Sequence, residues 1–434
     1  MNNLDKIVSL AKRRGFVFQN SQIYGGVAGI FDYGPLGAEM INNIKRLWWQ
    51  EMVHKRPNVV GINGAIITHP KVWEASGHIA NFTDPLVDCK ACKKRFRPDD
   101  LSKKGRCPEC GGEVGEPKKF NILVETSLGV IEGEKATYYL RGEACQNIYL
   151  NYENVLQSTR QKIPFGIAQI GKAFRNEITP KNFLYRQREF EQWDLQFFVK
   201  PEEVEKWYQY WKNERLSWYK TIINDTSRIR FRKHKDSELA HYAKVAYDIE
   251  FKTSFADWRE WEGIHCRGDW DLSRHGQFSG HDFTYQDPKT KERFSPWIVE
   301  TSGGVDRTFL YLLEDAYQEE KIDKESRLVL KLNPLIAPIK VAVFPLVANK
   351  KELVDQAKRI FDELSQKLVV DWDDNGNIGK RYRRQDEIGT PWCLTVDYDT
   401  LERQTVTIRD RDTMKQERIA VNQVLSFLEE KLDN

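Results

Sequence analysis

The residues with the most capacity for chemistry crowd into one stretch, residues 171–198. Arg175, Arg186 and Arg188 lie there with Glu177, Glu189, Glu191 and Asp194. Guanidinium forks bind phosphate and carboxylates bind an ammonium group, so this mixture suits a ligand carrying both signs of charge. A salt-bridged solvent face is the alternative reading. A second constellation is Cys89-Lys-Ala-Cys92 and Cys107-Pro-Glu-Cys110, two CxxC knuckles separated by residues 93–106. Four thiolates at that spacing make a zinc ribbon, and a site closed by four sulfurs is structural rather than catalytic. A third is Arg307, just past Gly303 and Gly304, where a strand gives way to a helix. The helix dipole and the guanidinium both favour an anion there. The fourth is Lys380-Arg381-Tyr382-Arg383-Arg384. Basic and aromatic residues together suit single-stranded RNA, although a solvated face is the commoner use of such a cluster.

Pattern indicates the elements that must position these groups. Residues 165–174 and 188–198 read as two strands, with turn residues Thr179 to Asn182 between them. A short basic helix is expected at 4–15 and a long one at 36–55, where Leu36, Met40, Ile44, Leu47, Trp48 and Met52 form one stripe. Pro35 opens that helix and Pro57 ends it. The glycine-rich segment 24–37 reads as a tight connection, because no Lys-Ser/Thr pair follows it to cradle phosphate. Residues 58–70 read as a strand, 120–130 and 136–151 as strand-like, 152–162 and 201–223 as helices, and 236–249 is ambiguous. A helix follows Gly304 through about residue 319. Composition shifts near 333–338, a linker. Beyond it the order is strand 339–344, helix 350–367, strand 368–373, a glycine-rich turn and basic segment 376–384, strands 392–397 and 404–409, and a helix at 416–432, an α/β domain.

At 434 residues, two or three domains and a large core are expected. A net charge of +3 excludes a general polycation. No apolar run is long enough to span a membrane, and the first residues lack a signal peptide's apolar region. A cytoplasmic, reducing location follows, where paired cysteines point to metal rather than disulfides. Cys145, Cys266 and Cys393 stand singly and read as small buried residues.

Together these pieces resemble the class II aminoacyl-tRNA synthetases, most closely the homodimeric glycyl-tRNA synthetase family. Phe174-Arg-Asn-Glu177 with Arg188-Glu-Phe190 looks like motif 2, Gly303-Gly-Val-Asp-Arg307 like motif 3, and residues 36–70 like the dimer-forming motif 1. Tyr33-Gly-Pro-Leu-Gly37, Glu132-Gly-Glu-Lys-Ala136 and the segment 379–391 are similar to glycyl-family segments. The resemblance implies an α+β fold: an antiparallel-sheet catalytic domain over 1–335 and an α/β anticodon-binding domain over 336–434. It places a zinc-ribbon insertion at 86–117 and a helical linking region at 200–256.

The resemblance also implies glycine activation by ATP with Mg²⁺, structural Zn²⁺, transfer of glycine to tRNA-Gly, and a homodimer. Arg175 would grip the α-phosphate with Asn176 and Glu177 beside it. Phe190 would stack on adenine, and Arg307 would hold the γ-phosphate. Tyr185, Arg186, Arg188, Glu189, Glu260, Trp261, Gly304, Val305 and Asp306 would complete the nucleotide site, with Glu260 also able to bind magnesium. Arg97, Glu143, Phe190, Glu191, Gln192, Asp194, Glu300, Thr301, Ser302, Gly303 and Gly304 would line the glycine pocket. Lys380, Arg381, Arg383 and Arg384 would contact tRNA. The chain departs from the family pattern at Gly142, Cys145, Trp193, Asp194, Trp261 and Thr301, which keeps the charges but changes bulk near the pocket. Synthetases for serine, threonine or proline would share the phosphate-binding arginines but not the glycyl-type segments. A non-catalytic relative would be expected to lose Arg175, Glu177, Phe190 and Arg307, and all of these are present.

Overall fold

A computed structural model of the protein describes residues 3–98, 101–102, 105–129, 136–238, 244–322 and 325–433. The segment from Glu132 to Lys135 lies outside the described residues, as do Lys103 and Lys104. Among the described residues the central sheet has seven strands: β1 (Val59–Gly61), β2 (Phe165–Phe174), β3 (Glu189–Val199), β4 (Ile229–Lys233), β5 (Val245–Thr253), β6 (Asp257–Gly268) and β7 (Trp297–Gly304). Their spatial order is β4-β5-β6-β7-β3-β2-β1, antiparallel except where β1 runs parallel to β2. The segment 200–256 is therefore not simply a linking region. Its first part is the helix α3 (Val204–Ile222), and its second part supplies two strands of the main sheet.

Successive residues of a strand point to opposite faces. On one face lie Trp193, Leu195 and Phe197 of β3, Val299 and Thr301 of β7, and Ile264 of β6, all at most 1% exposed. Three helices cover this face: α2 (Pro35–Trp49), α3 and α4 (Val305–Ala316), whose apolar residues join the same core. Glu262 is also on this side, yet it is fully satisfied. Arg215 donates to it at 2.6 and 2.9 Å, Tyr219 at 2.5 Å and Trp193 at 3.2 Å. Gly303 is required there, because a Cβ would stand 2.4 Å from the Trp193 indole nitrogen. The other face presents Gln192, Asp194, Gln196, Glu300, Ser302, His265 and Arg267.

Several elements differ from the sequence expectation. The helix α2 passes into a π-helical turn, Gln50–His54, before Pro57. Residues 58–70 form two short strands rather than one, and 136–151 is a strand, Ala136–Leu140, followed by a helix, Gln146–Leu150. The helix α4 ends at Ala316, and the hairpin of Tyr317–Ile322 and Glu325–Leu330 follows. No helix of the described residues is long and apolar enough to cross a membrane.

A separate core begins at Val341. Its five-stranded sheet has the order Val370–Trp372, Val341–Pro345, Trp392–Val396, Thr405–Asp410, Gln416–Ala420. Helices α5 (Lys351–Ser365), α6 (Ile378–Ile388) and α7 (Val424–Asp433) pack with it. The basic segment is thus the helix α6, capped by the Asn377 side chain and ended at Gly389, whose φ of 81° is left-handed. Residues 416–420 are a strand, not the start of the last helix. They sit at the sheet edge, where charged side chains are common and hide the strand pattern.

A buried ion cluster joins the two cores. Arg327 of the hairpin donates to Asp386 of α6 at 2.8 Å and to Glu320 at 2.8 Å, while Arg409 grips Asp386 at 2.9 and 3.1 Å. Arg14, just past the helix α1 (Asn3–Arg13), donates to Glu387 at 2.7 Å. Removing one partner of a buried pair leaves the other charge uncompensated, at a cost of about 3–5 kcal/mol. Asp386→Ala is expected to lose that much unfolding free energy in chemical denaturation, and a loss below about 1 kcal/mol would refute this role for the cluster.

Candidate active site

The charged face of the sheet floors a cleft of about 430 Å³. The residue Arg175 enters from the end of β2. Its guanidinium lies over the rings of Phe82 and Phe190, at 5.0 and 5.3 Å, and its Nε donates to the Gly142 carbonyl at 3.1 Å. From the first turn of α4, Arg307 lies over the Tyr185 ring at 4.8 Å and pairs with Glu260 at 3.2 Å. Burial opposes the Arg307 charge, but Glu260, together with Tyr311 and Tyr185, holds its pKa above the ordinary value. Arg307 in turn draws the Glu260 pKa down. The Glu260 side chain is about half exposed, at 49%, so an incoming anion can take its place beside Arg307. Tyr185, Arg186, Gly304 and Asp306 line the same end.

Buried carboxylates lie beneath the cleft on the same face of the sheet. Glu300 accepts from Arg267 at 2.9 Å and Gln196 at 2.8 Å, and His265 lies 2.7 Å from it. Burial works against its charge, but Arg267 and then His265 hold the Glu300 pKa down to about 2. Asp194 is 1% exposed and its Oδ2 has no hydrogen-bond partner among the described residues. Burial first, and then the neighbouring Glu300, push its pKa well above the carboxylate range, while a Ser302 hydrogen bond works the other way. The Asp194 carboxyl, the Glu300 carboxyl and the Cys145 thiol approach within 4.8 Å of one another. Glu143 accepts from Cys145 at 3.0 Å and Gln146 at 2.9 Å and lies 3.2 Å from His78, which lowers its pKa despite burial. The cleft thus offers guanidinium groups, with an unsatisfied acid buried beneath it on the same face of the sheet.

The structure brings together Arg97, Arg175, Glu177, Tyr185, Arg186, Phe190, Glu191, Gln192, Glu260, Ser302, Gly303, Gly304, Asp306 and Arg307 around the cleft. Asp194 and Glu300 lie on the same face of the sheet beneath it. Other expected site residues take different work. Trp261 occupies a β-bulge: Glu250 opposes Glu260 and Ile249 opposes Glu262, so Trp261 is the extra residue. It turns into the core and donates to Thr308 at 2.8 Å. Thr301 and Val305, both 0% exposed, likewise face away from the cleft. Arg188 donates to the carbonyls of Glu177 and Ala28, bracing the segment before the short strand Phe31–Tyr33 rather than lining the cleft. Glu189 pairs with Lys172, and Asn176 uses its backbone N–H to bond Ile122. Arg97 reaches the cleft at its Glu177 end, paired with Glu177 and Asp84.

Sequence reasoning missed Phe82 and Asp84, which no local motif marks. It also missed His265 and Arg267, which become neighbours of Glu300 only through the β6–β7 register. In the ribbon, Cys89 lies 3.5 Å from Cys110 and Cys92 lies 3.7 Å from Cys107, sulfur to sulfur. Tetrahedral zinc with bonds of about 2.3 Å sets its sulfurs about 3.8 Å apart, so the four thiols fit that ion. On α6, Lys380 is exposed and Arg383 is partly so. Arg384 pairs with Asp373. Arg381 is 2% exposed and donates to the carbonyls of Pro345, Asp374 and Gly376, so it holds the domain together instead of meeting a partner.

Residues 128–316 match the tRNA synthetase class II core domain (G, H, P, S and T), and residues 340–431 match the Anticodon binding domain. Curated relatives named Glycine--tRNA ligase are similar over the full chain. Those of Borreliella afzelii and Treponema denticola are each 50% identical over 442 residues, covering 100% of this chain and 98% of the relative. That of Caldanaerobacter subterraneus is 49% identical over 457 residues, covering 99% and 98%. With a class II core, an anticodon-binding domain and half of all residues shared from end to end, the chain belongs to the glycine--tRNA ligase family.

Proposed function

We propose that the protein joins glycine to tRNA-Gly in two steps within this cleft. The observation that carries the reading is the separation of charge on this face of the sheet, with Arg175 and Arg307 lining the cleft and Asp194 beside Glu300 buried beneath it. The glycine carboxylate attacks the α-phosphate of ATP in line and pyrophosphate leaves. No protein nucleophile is needed, so catalysis rests on positioning and on stabilising charge. Arg175 holds the α-phosphate, Phe190 takes the adenine, and Arg307 releases Glu260 to hold the γ-phosphate. Mg²⁺, when bound, neutralises further phosphate charge, and the half-exposed carboxylate of Glu260 is the residue that would hold it. The substrate ammonium restores the charge of Asp194, whose Oδ2 takes no hydrogen bond from the described residues. Larger amino acids meet the close-set Cys145, Asp194 and Glu300. The terminal ribose hydroxyl of the tRNA then attacks the glycyl carbonyl of the adenylate, forming the ester and releasing AMP, while Lys380 and Arg383 on α6 meet the tRNA.

We propose further that the four ribbon thiols hold one structural zinc ion, that α2 and the edge strand β1 form a homodimer interface, and that the protein works in the cytoplasm. The unpaired state of every cysteine agrees with a reducing location.

ATP–pyrophosphate exchange tested across all amino acids should depend on glycine, and exchange with serine or threonine but not glycine would sink the reading. Arg175→Ala and Arg307→Ala are each expected to lower glycine-dependent exchange by about 10²–10³-fold with little change in melting temperature.

Asp194→Asn should separate stability from function. A carboxyl whose pKa is raised by folding stabilises the fold fully below its unfolded value, near 3.8, and loses that contribution as pH rises through the folded value. The amide should therefore unfold at higher free energy than the parent at neutral pH, with the gain vanishing near pH 3.8, while glycine KM rises about 30-fold or more. Equal stability at both pH values would refute the assignment.

Zinc should co-purify at one ion per chain. Cys107→Ser should abolish it and expose residues 83–121 to limited proteolysis, and metal-free protein with a protease-resistant ribbon would overturn the site.

A further inference from the structure

Tyr33 opens the Tyr33–Gly37 segment, to which the proposed reaction assigns no role, at the end of the short strand Phe31–Tyr33 just before α2. Its hydroxyl nevertheless donates to Asp306 Oδ1 at 2.5 Å, across the chain from a strand near the N-terminus to the first turn of α4. The other oxygen of Asp306, Oδ2, accepts from the Glu191 backbone N–H at 2.5 Å. This second bond has a structural logic. The pairing of β3 with β7 ends at Gln192 opposite Gly304, because β7 turns into α4 there. Glu191 is the next residue outward and would have no strand to bond on that side. The Asp306 carboxylate supplies the missing acceptor and continues the ladder by one rung. Asp306 is 3% exposed, and the Tyr33 ring packs edge-on against Phe309, one turn further along α4, at 5.1 Å. The Glu191 carboxylate is itself turned away to Lys45 of α2, at 3.1 Å.

This rung sits between the two residues that the reading assigns to the ends of the nucleotide. Phe190 immediately precedes Glu191, and Arg307 immediately follows Asp306. We propose that Tyr33 is a positioning residue for ATP: its hydroxyl holds Asp306 as the rung that fixes Phe190 on β3 relative to Arg307 on α4. The proposal rests on the functional reading above and adds to it a residue that touches no substrate. Burial, and then Asp306, push the phenol pKa well above its ordinary value, so the hydroxyl remains a donor through the working pH range.

Tyr33→Phe keeps the ring against Phe309 and removes only the hydroxyl. The dissociation constant of ATP without glycine, read by calorimetry, and the ATP KM in exchange are expected to rise about tenfold, while glycine KM stays within about twofold. A merely structural role would raise both KM values together, and that result, or unchanged ATP affinity, would overturn the proposal. Asp306→Asn places an amide nitrogen against one of the two donors and should give the same split. The double variant should be no worse than about twofold beyond the poorer single one, because both changes break one relay, whereas multiplicative losses would overturn it. Absence of ATP binding by the unaltered protein would overturn the functional reading itself and the proposal with it.

Discussion

A strand can present only alternate residues to one face of its sheet, and the organisation of this protein depends on that constraint. Along β3 the even positions from Phe190 to Gln196 face the cleft, and the odd positions from Trp193 to Val199 face the helices. Along β7, Glu300 and Ser302 join the first set, while Val299 and Thr301 join the second. A one-residue slip in either strand would send Asp194 and Glu300 into the aromatic core and bring Trp193 into the site. The bulge at Trp261 is a controlled use of the same rule. It lets Glu260 face Arg307 while Trp261 and Glu262 both turn inward, where Arg215, Tyr219 and Trp193 satisfy the carboxylate.

This two-sidedness changes the meaning of the departures from the family pattern. Trp193, Trp261 and Thr301 lie beside proposed pocket residues in sequence but behind the sheet in space. Trp193 stacks on Trp48 at 5.6 Å, and Trp261 packs against Tyr219 at 4.2 Å. They enlarge one aromatic cluster around the Arg215–Glu262 pair and leave the lining of the pocket untouched. Only Gly142, Cys145 and Asp194 remain at the pocket. Of these, Asp194 meets the proposed amino group, Cys145 bonds Glu143, and Gly142 offers its carbonyl to Arg175.

The parts of the fold carried by long periodic segments were legible: the hairpin of β2 and β3, the stripe of α2, the strand-to-helix turn at Gly304 and the α/β character of the C-terminal domain. The thiol cluster was legible because its ligands are local. Side-chain direction was less so. Arg188 and Arg381 read in sequence as cations for ATP and for tRNA, yet each spends its donors on backbone carbonyls, and nothing in a list of residue types distinguishes a cation that meets a ligand from one that ties a loop. The strands β4 and β5 were hidden because Arg230, Arg232, Asp248 and Glu250 pair across them on the charged face, which breaks the apolar pattern that marks a strand. Phe82 reaches the cleft, and His265 and Arg267 reach Glu300, only through tertiary contacts between distant segments.

The same helix that supplies Arg307 also sets where the C-terminal domain stands. From Val305 to Ala316, α4 is a rod about 18 Å long, and it continues without a linker into the hairpin that carries Arg327. Arg327 and Arg409 hold Asp386 on α6 from two sides, with Arg327 and Asp386 almost wholly removed from solvent. The link from Arg307 to the exposed Lys380 and Arg383 therefore runs through one helix, one hairpin and one buried ion cluster. Rotating α6 against the cleft would require unpairing charges in a low-dielectric interior, which costs far more than bending a loop. The residues proposed for ATP and those proposed for tRNA are in this way parts of one braced frame, to which the chain segment 333–338 adds its own ties: Ile336 and Ala337 are buried in the main core, and Asn43 donates to the Ala337 carbonyl.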